Sequence, residues 1–188
     1  MLKKIGVPAL ISSKEEDIEK ADKLILPGVG AFDACAGKLK QSGLIPLLNK
    51  KVLEQKTPVL GICVGMQLLT EGSEEGELPG LGWVKGRIIR FRQNEMPAGF
   101  KIPHMGWSDV YTATEIPLFS NMPEQPRFYF VHSYHPKLNN ASDELASAEY
   151  GYRFSAAIGH DHIAGVQFHP EKSHKFGMQL LSNFVNKY

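Results

Sequence analysis

Cys63 stands between two glycines in GICVG (61–65), behind the apolar run TPVLGIC and ahead of the helix-like stretch VGMQLLTEG. A thiol on a strand-to-helix corner with small flanking residues has the layout of a nucleophile elbow. Such a turn exposes its central side chain, and bulk on the flanks would collide with neighbouring backbone. The start of a helix adds free N–H groups and the positive end of a dipole, which favour a thiolate. The corner alone is equally the setting of a small buried structural cysteine. A thiolate that attacks needs a base, and the base needs a group to orient it. GVQFHPEKS (165–173) offers both. His169 falls at the C-terminal end of an apolar strand, where the active sites of α/β proteins collect. Pro170 keeps His169 out of the helical region. In an extended segment Glu171, two residues on, projects to the same side. A carboxylate there holds the imidazole in one tautomer and stabilises its cation.

The elements that must position these residues alternate through the first half, as in an α/β domain. PALIS (8–12) reads as a short strand and DKLILPG (22–28) as a buried parallel one. AFDACAGKLKQSG (31–43) and LIPLLNKKVLEQK (44–56) read as helices, TPVLGIC as the next buried strand and VGMQLLTEG as the helix leaving it. After the turn-rich SEEGELPGLG (73–82), strands dominate: WVKGRIIRF, KIPHMGWSDVY, RFYFVHSYH, ELASAEY, FSAAIGH and HIAGVQFH. SHKFGMQLLSNFVNKY (173–188) is an amphipathic helix with Ser173 as its N-cap candidate. The expected fold is α/β, a mixed, mainly parallel sheet flanked by helices, with a β-rich second half.

Composition narrows the function class. The 188 residues carry 21 Lys and Arg against 20 Asp and Glu, a net charge of +1, and nothing in that balance suggests nucleic acid. KGRIIRFR (85–92) alternates its charges, which suits a solvated strand face or a docking surface. The two cysteines, Cys35 and Cys63, form no C-x-x-C pair, and Cys35 reads as a buried small residue in a helix. Pro8 and the charged SKEEDIEKADK argue against a leader, and no apolar run approaches the about 20 residues of a membrane span. A reduced, cytoplasmic setting is expected. His132 and His135 in HSYH, and His160 and His162 in GHDH, have metal-like spacing. No cysteine or carboxylate cluster joins them, IGHDHIAG reads as a hairpin turn, and no metal or other cofactor is implied.

LILPGVGAF, GICVGMQLL, PHMGWSDV, FYFVHSYH and GVQFHPEKS together resemble the class I glutamine amidotransferases with a Cys-His-Glu triad. Among these the chain is most similar to the glutaminase subunits of imidazole glycerol phosphate synthase. The likeness covers essentially the whole chain and implies the family's flavodoxin-like fold in a single domain over 1–188. By resemblance Cys63 attacks the side-chain amide of L-glutamine, His169 passes the proton to ammonia, and Glu171 orients His169. An oxyanion hole is implied at the backbone N–H groups of Val64 and of Val29 in PGVG (27–30). Gly28, Gly30, Gln67 and the HSY backbone (His132, Ser133, Tyr134) are implied to bind glutamine.

Free ammonia is mostly protonated at neutral pH and a poor nucleophile, so a sealed transfer is useful. The resemblance implies docking on a separate (β/α)8 cyclase subunit as a heterodimer, in histidine biosynthesis. Met105 and Trp107 of PHMGW, with Tyr129, match interface positions if they are exposed, and are core residues if they are not. The family opens with a hydrophobic strand and a D-Y-G-x-G-N-like turn, whereas this chain opens at MLKKIGVPALISS. The domain is therefore expected to be N-terminally shortened, with an open sheet edge and an apolar gap. Two further readings stay open: a paralogue feeding ammonia to another synthase, for example in sugar amidination, and a catalytically impaired interaction module.

Overall fold

The computed structural model describes residues 1–112, 115–122 and 125–188. Among these residues helices α1 (Glu15–Lys20), α2 (Phe32–Gln41), α3 (Ile45–Asn49), α4 (Val64–Gln67) and α5 (His174–Lys187) flank nine strands. These are β1 (Leu24–Gly28), β2 (Val59–Cys63), β3 (Gly86–Arg90), β4 (His104–Tyr111), β5 (Arg127–His132), β6 (Tyr134–Leu138), β7 (Glu144–Tyr150), β8 (Tyr152–His160) and β9 (Ile163–Val166).

Seven strands form one mixed sheet in the order β1-β2-β9-β8-β7-β4-β5, and β3 pairs with β6 in a separate two-stranded ribbon. β1, β2 and β9 run parallel, and β9 to β5 continue antiparallel. The chain order thus maps onto the sheet: the alternating first half supplies the parallel strands, and the β-rich second half supplies the antiparallel ones. β9 is the exception that builds the site, because it brings a late segment back beside β2. Pro27 lacks an N–H donor, and it lies in β1 at the end of the sheet, where a missing donor is tolerated.

One apolar layer packs α5 against the sheet through Phe128, Phe168, Phe176, Leu180 and Phe184. A second layer sets α1, α3 and α4 on the sheet through Ile18, Leu48, Val52, Met66 and Ile163. A third, smaller cluster joins α2 to the corner after β2: Phe32, Ala36, Cys63, Val64 and Leu68. The reactive candidate therefore sits on packed supports rather than on a free loop.

Several sequence expectations shift. Residues 8–12 form no strand; Leu10 and Ile11 are exposed, Pro8 offers no donor, and no neighbouring strand pairs with the segment. Met1, Leu2 and Ile5 pack, partly buried, against the main core. The helix after Cys63 stops at Gln67 because the carbonyls that would extend it are taken by a returning loop. Leu68, Leu69 and Thr70 accept from the N–H groups of Leu81, Val84 and Gly82. RFYFVHSYH splits into β5 and β6, which separate at Ser133 and join different sheets. Arg87 and Arg90 are exposed and Ile88 is buried, but three residues apart in β3 the two arginines point to opposite faces, so the single charged strand face expected does not form. Among the described residues no helix is long and apolar enough to cross a membrane.

Candidate functional site

Cys63 ends β2 with φ 54° and ψ −118°, a region that side-chain-bearing residues rarely adopt, at a cost of order 1–3 kcal/mol. Strain at such a corner persists only where the surroundings over-determine it. Here they do. β1 pairs in parallel register with β2, setting Gly28 opposite Cys63. The backbone of α4 crosses β1 so closely that a Cβ on Gly65 would lie 1.8 Å from the Leu26 carbonyl oxygen. The flanking glycine is needed for that approach, and the approach fixes the corner. Cys63 is 7% exposed and Val64, the first residue of α4, is buried.

His169 follows β9 by three residues, its ring buried. Its Nδ1–H donates to Glu171 Oε1 at 2.7 Å, which leaves Nε2 as the free ring atom, buried and without a hydrogen-bond partner. The route to this pair differs from the extended segment expected: Pro170–Lys172 is a single 3-10 turn, with His169 extended at its N-terminal flank. Proline starts the turn and also excludes His169 from it, so the carboxylate curls back onto the ring. Cys63 is the largest influence on His169 and Glu171 the next; together they outweigh burial and push the imidazole up to about 9. Burial pushes the Glu171 carboxyl up, but its bond to His169, a backbone N–H and nearby cations prevail and hold it low. The half-exposed carboxylate thus faces a cation, and that cation faces Cys63.

Two side chains that the sequence reading did not assign to the site, Gln167 and Ser173, complete the arrangement. Gln167 is fully buried; its Nε2–H points to Cys63 Sγ at 3.9 Å, and its Oε1 accepts from Gln67 Nε2 at 3.1 Å. Gln67 thus reaches Cys63 through Gln167, and its own Oε1 is buried with no partner. The available signal was a lone amide inside the apolar run GVQFH. Ser173 does not cap α5 with its hydroxyl. Its Oγ–H donates to the His169 carbonyl at 2.6 Å, and its Oγ accepts from the Tyr129 N–H at 3.0 Å. With the His169 N–H donating to the Tyr129 carbonyl at 2.9 Å, this clasps the histidine backbone to β5.

The other candidates distribute around this centre. Val29 is 76% exposed just beyond β1, and Gly30 takes φ 102°, a left-handed value suited to glycine. Cys35 is only partly buried, and its Sγ–H donates to the Val29 carbonyl at 3.5 Å; burial pushes its thiol up. The reading of Cys35 as buried is corrected by its place on the side of α2 that faces this loop. His132 is buried near enough to His169 to feel its charge, while Ser133 and Tyr134 are partly exposed. Met105 and Trp107 share the exposed face of β4. Trp107 lies opposite Tyr129, stacks on His174 with ring centres 5.6 Å apart, and Lys172 Nζ sits 5.5 Å over the Tyr129 ring. His160 and His162 point instead at the carbonyls of Trp83 and Val52.

A cysteine at a strained strand-to-helix corner, a buried histidine beside it and a carboxylate on that histidine form an arrangement chemically equipped for thiol-dependent acyl transfer. The family model described as glutamine amidotransferase class-I matches residues 2–188, and the chain belongs to that family. The imidazole glycerol phosphate synthase subunit HisH 2 of Pseudomonas aeruginosa is 51% identical over 185 residues, covering 98% of this chain and 90% of that protein. The subunit HisH 2 of Methanococcus maripaludis is also 51% identical, covering 100% and 91%. A crystal structure of a glutamine amidotransferase superposes with a TM-score of 0.71 at 18% identity, covering 98% of this chain and 90% of that one. At that identity the likeness speaks for the fold.

Proposed function

We propose that the chain is one amidotransferase domain acting as the glutaminase subunit of an imidazole glycerol phosphate synthase. It hydrolyses L-glutamine to glutamate and ammonia and passes the ammonia to a separate (β/α)8 cyclase subunit in histidine biosynthesis, in the cytoplasm. One observation carries the reading: a buried His169, locked at Nδ1 by Glu171, keeps Nε2 free of other partners beside a cysteine held at positive φ. The relatives named imidazole glycerol phosphate synthase subunit HisH 2, each 51% identical, support the reading as a synthase subunit.

In this mechanism His169 Nε2 already holds the proton of the Cys63–His169 pair, and Cys63 Sγ attacks the amide carbon of glutamine. The resulting oxyanion is met by the N–H groups of Val64 and Val29, donors of a kind whose loss costs about 3 kcal/mol. His169 then protonates the departing nitrogen, which leaves as ammonia. The same histidine takes a proton from water as it attacks the thioester, and glutamate departs. An imidazole that stays protonated to about pH 9 is suited to the acid half of that cycle. Gly28, Gly30, Gln67 and the HSY backbone hold glutamine, and Met105, Trp107 and Tyr129 meet the cyclase. Met and Trp on an exposed strand face fit an interface anchor. The test mixes purified chain with the cyclase subunit and measures glutamate release with and without the acceptor substrate. Release that rises with the acceptor supports the assignment; no glutamate under either condition overturns it.

A second reading has one observation in its favour: both of these relatives bear the number of a second HisH subunit. The ammonia then goes to a different acceptor, such as a sugar undergoing amidination. Glutamate release with no response to the histidine-pathway cyclase and its acceptor selects that version.

A further inference from the structure

Behind the exposed face of β4 runs a chain of buried and part-buried polar groups whose side chains the reaction itself does not use. His104 and His132 are cross-strand partners in the β4–β5 register, both buried. His104 Nδ1 lies 3.0 Å from His132 Nε2, His104 Nε2 lies 2.9 Å from Ser108 Oγ, and His132 Nδ1 lies 2.7 Å from the Tyr134 carbonyl. Phe91, Phe130, Tyr150 and Phe154 wall the pair with aromatic rings.

Chemistry fixes the direction of every bond. A carbonyl only accepts, so His132 Nδ1 carries hydrogen and donates to Tyr134. If both rings are neutral, His132 Nε2 is then an acceptor, His104 Nδ1 is its donor, His104 Nε2 is an acceptor, and Ser108 O–H donates. The opposite order requires a doubly protonated His132. Among the described residues the titratable neighbours are His135, Tyr150, Tyr152 and His169, with no carboxylate among them to hold such a cation. Burial lowers both imidazoles, His104 to about 4.

We propose that Ser108, His104 and His132 form a one-directional hydrogen-bond relay through which β4 fixes the Tyr134 carbonyl and so the Ser133–Tyr134 backbone. His104 is thereby a positioning residue for glutamine. The relay lies on the inner side of the strand whose outer side carries Met105 and Trp107, so movement of that strand is felt directly at Tyr134. This rests on the reading that the HSY backbone binds glutamine and that β4 meets the partner.

The experiment uses the full chain in complex with its cyclase. Nitrogen-15 imidazole shifts at pH 7 are expected to report His104 and His132 as neutral and protonated on Nδ1. A charged ring, or an Nε2–H on His132, overturns the relay whatever the activity. His104→Gln loses the Nδ1–H donor, whereas His104→Asn keeps an amide N–H near that position. H104Q is expected to raise the glutamine KM about fivefold or more, with kcat and ammonium-dependent turnover little changed, and H104N to restore much of the KM. Equal KM in wild type and H104Q, or equal defects in H104Q and H104N, overturns the positioning role. A wild-type complex that releases no glutamate sinks the glutaminase reading instead, and the imidazole shifts still decide the relay.

Discussion

Two histidine environments lie within reach of one another and are tuned in opposite directions. His169 lies between Cys63 and the Glu171 carboxylate, and these two raise its imidazole to about 9. His104, His132 and His135 are packed among aromatic rings and bonded to neutral groups, and burial lowers all three, His104 and His135 to about 4. Burial is common to all four, so burial does not decide the outcome; the partner does. The ring proposed to move protons faces carboxylate and sulfur. A ring meant to hold backbone in place is given a hydroxyl, a carbonyl or another neutral imidazole. The signs for stability differ accordingly. His169 binds its proton more tightly folded than unfolded, a contribution present below pH 6.5 and lost as the pH climbs through about 9. The other three contribute nothing above 6.5 and destabilise the fold as the pH falls from there toward 4.

The largest break of this contrast removes the sulfur proposed to attack glutamine. Cys63→Ala is expected to lower glutamine hydrolysis by about a thousandfold or more, while the complex still uses added ammonium. Loss of both activities would refute the division between glutaminase and cyclase. Next comes the anion on the other side of His169. Glu171→Gln is expected to lower kcat/KM for glutamine by on the order of a hundredfold. Because Glu171 raises His169, its loss must move the alkaline limb of the pH–rate profile from near 9 to lower pH. A limb that stays in place would mean that another group sets it.

The structural histidines are tested from the acid side. Urea unfolding followed from pH 6.5 to 4 is expected to show each of His104 and His135 contributing a loss on the order of 2 kcal/mol. His135 Nδ1–H donates to the Pro136 carbonyl, and its Nε2 accepts from the Tyr152 hydroxyl, which in turn accepts from the Arg92 N–H. His135→Gln is therefore expected to flatten that slope by about one histidine's share and to leave the alkaline limb untouched. A variant with the wild-type acid slope would show that His135 is not held neutral.

How much of this was legible in the sequence follows from the range of each signal. GICVG and FHPEKS are local patterns, and the corner and the His169–Glu171 pair lie where those letters put them. The helix at 31–43, the strand at 144–150 and the C-terminal helix were likewise read within a residue or two. Long-range hydrogen bonding was not legible. The helix after Cys63 ends early because residues 81–84 return to take its carbonyls, and no local pattern at VGMQLLTEG announces that. PALIS has strand composition yet finds no partner strand. Gln167 and His104 read as ordinary members of apolar blocks, and their roles depend on atoms 104 and 28 positions away in sequence.

Ser173 gives the finest test, since it belongs to the framework shared by both histidine environments. Its hydroxyl joins the His169 carbonyl to the Tyr129 N–H of β5, the strand that ends in His132. The sequence suggests a helix cap, whose loss would destabilise α5 and leave the active groups in place. The structure shows a clasp, whose loss frees the His169 backbone from β5 while the His169–Glu171 pair persists. Ser173→Ala is expected to cost about 1 kcal/mol in unfolding free energy, as a buried hydrogen-bonded hydroxyl does. It should lower kcat for glutamine several-fold, since a nucleophile and its base tolerate little misplacement. The alkaline limb should stay near 9 and the acid slope should match wild type, because the variant leaves the immediate partners of all four imidazoles in place. Stability lost with kcat intact would reduce Ser173 to a cap. A shifted limb would show that the tuning of His169 depends on its tether to β5 as well as on the two groups that flank its ring.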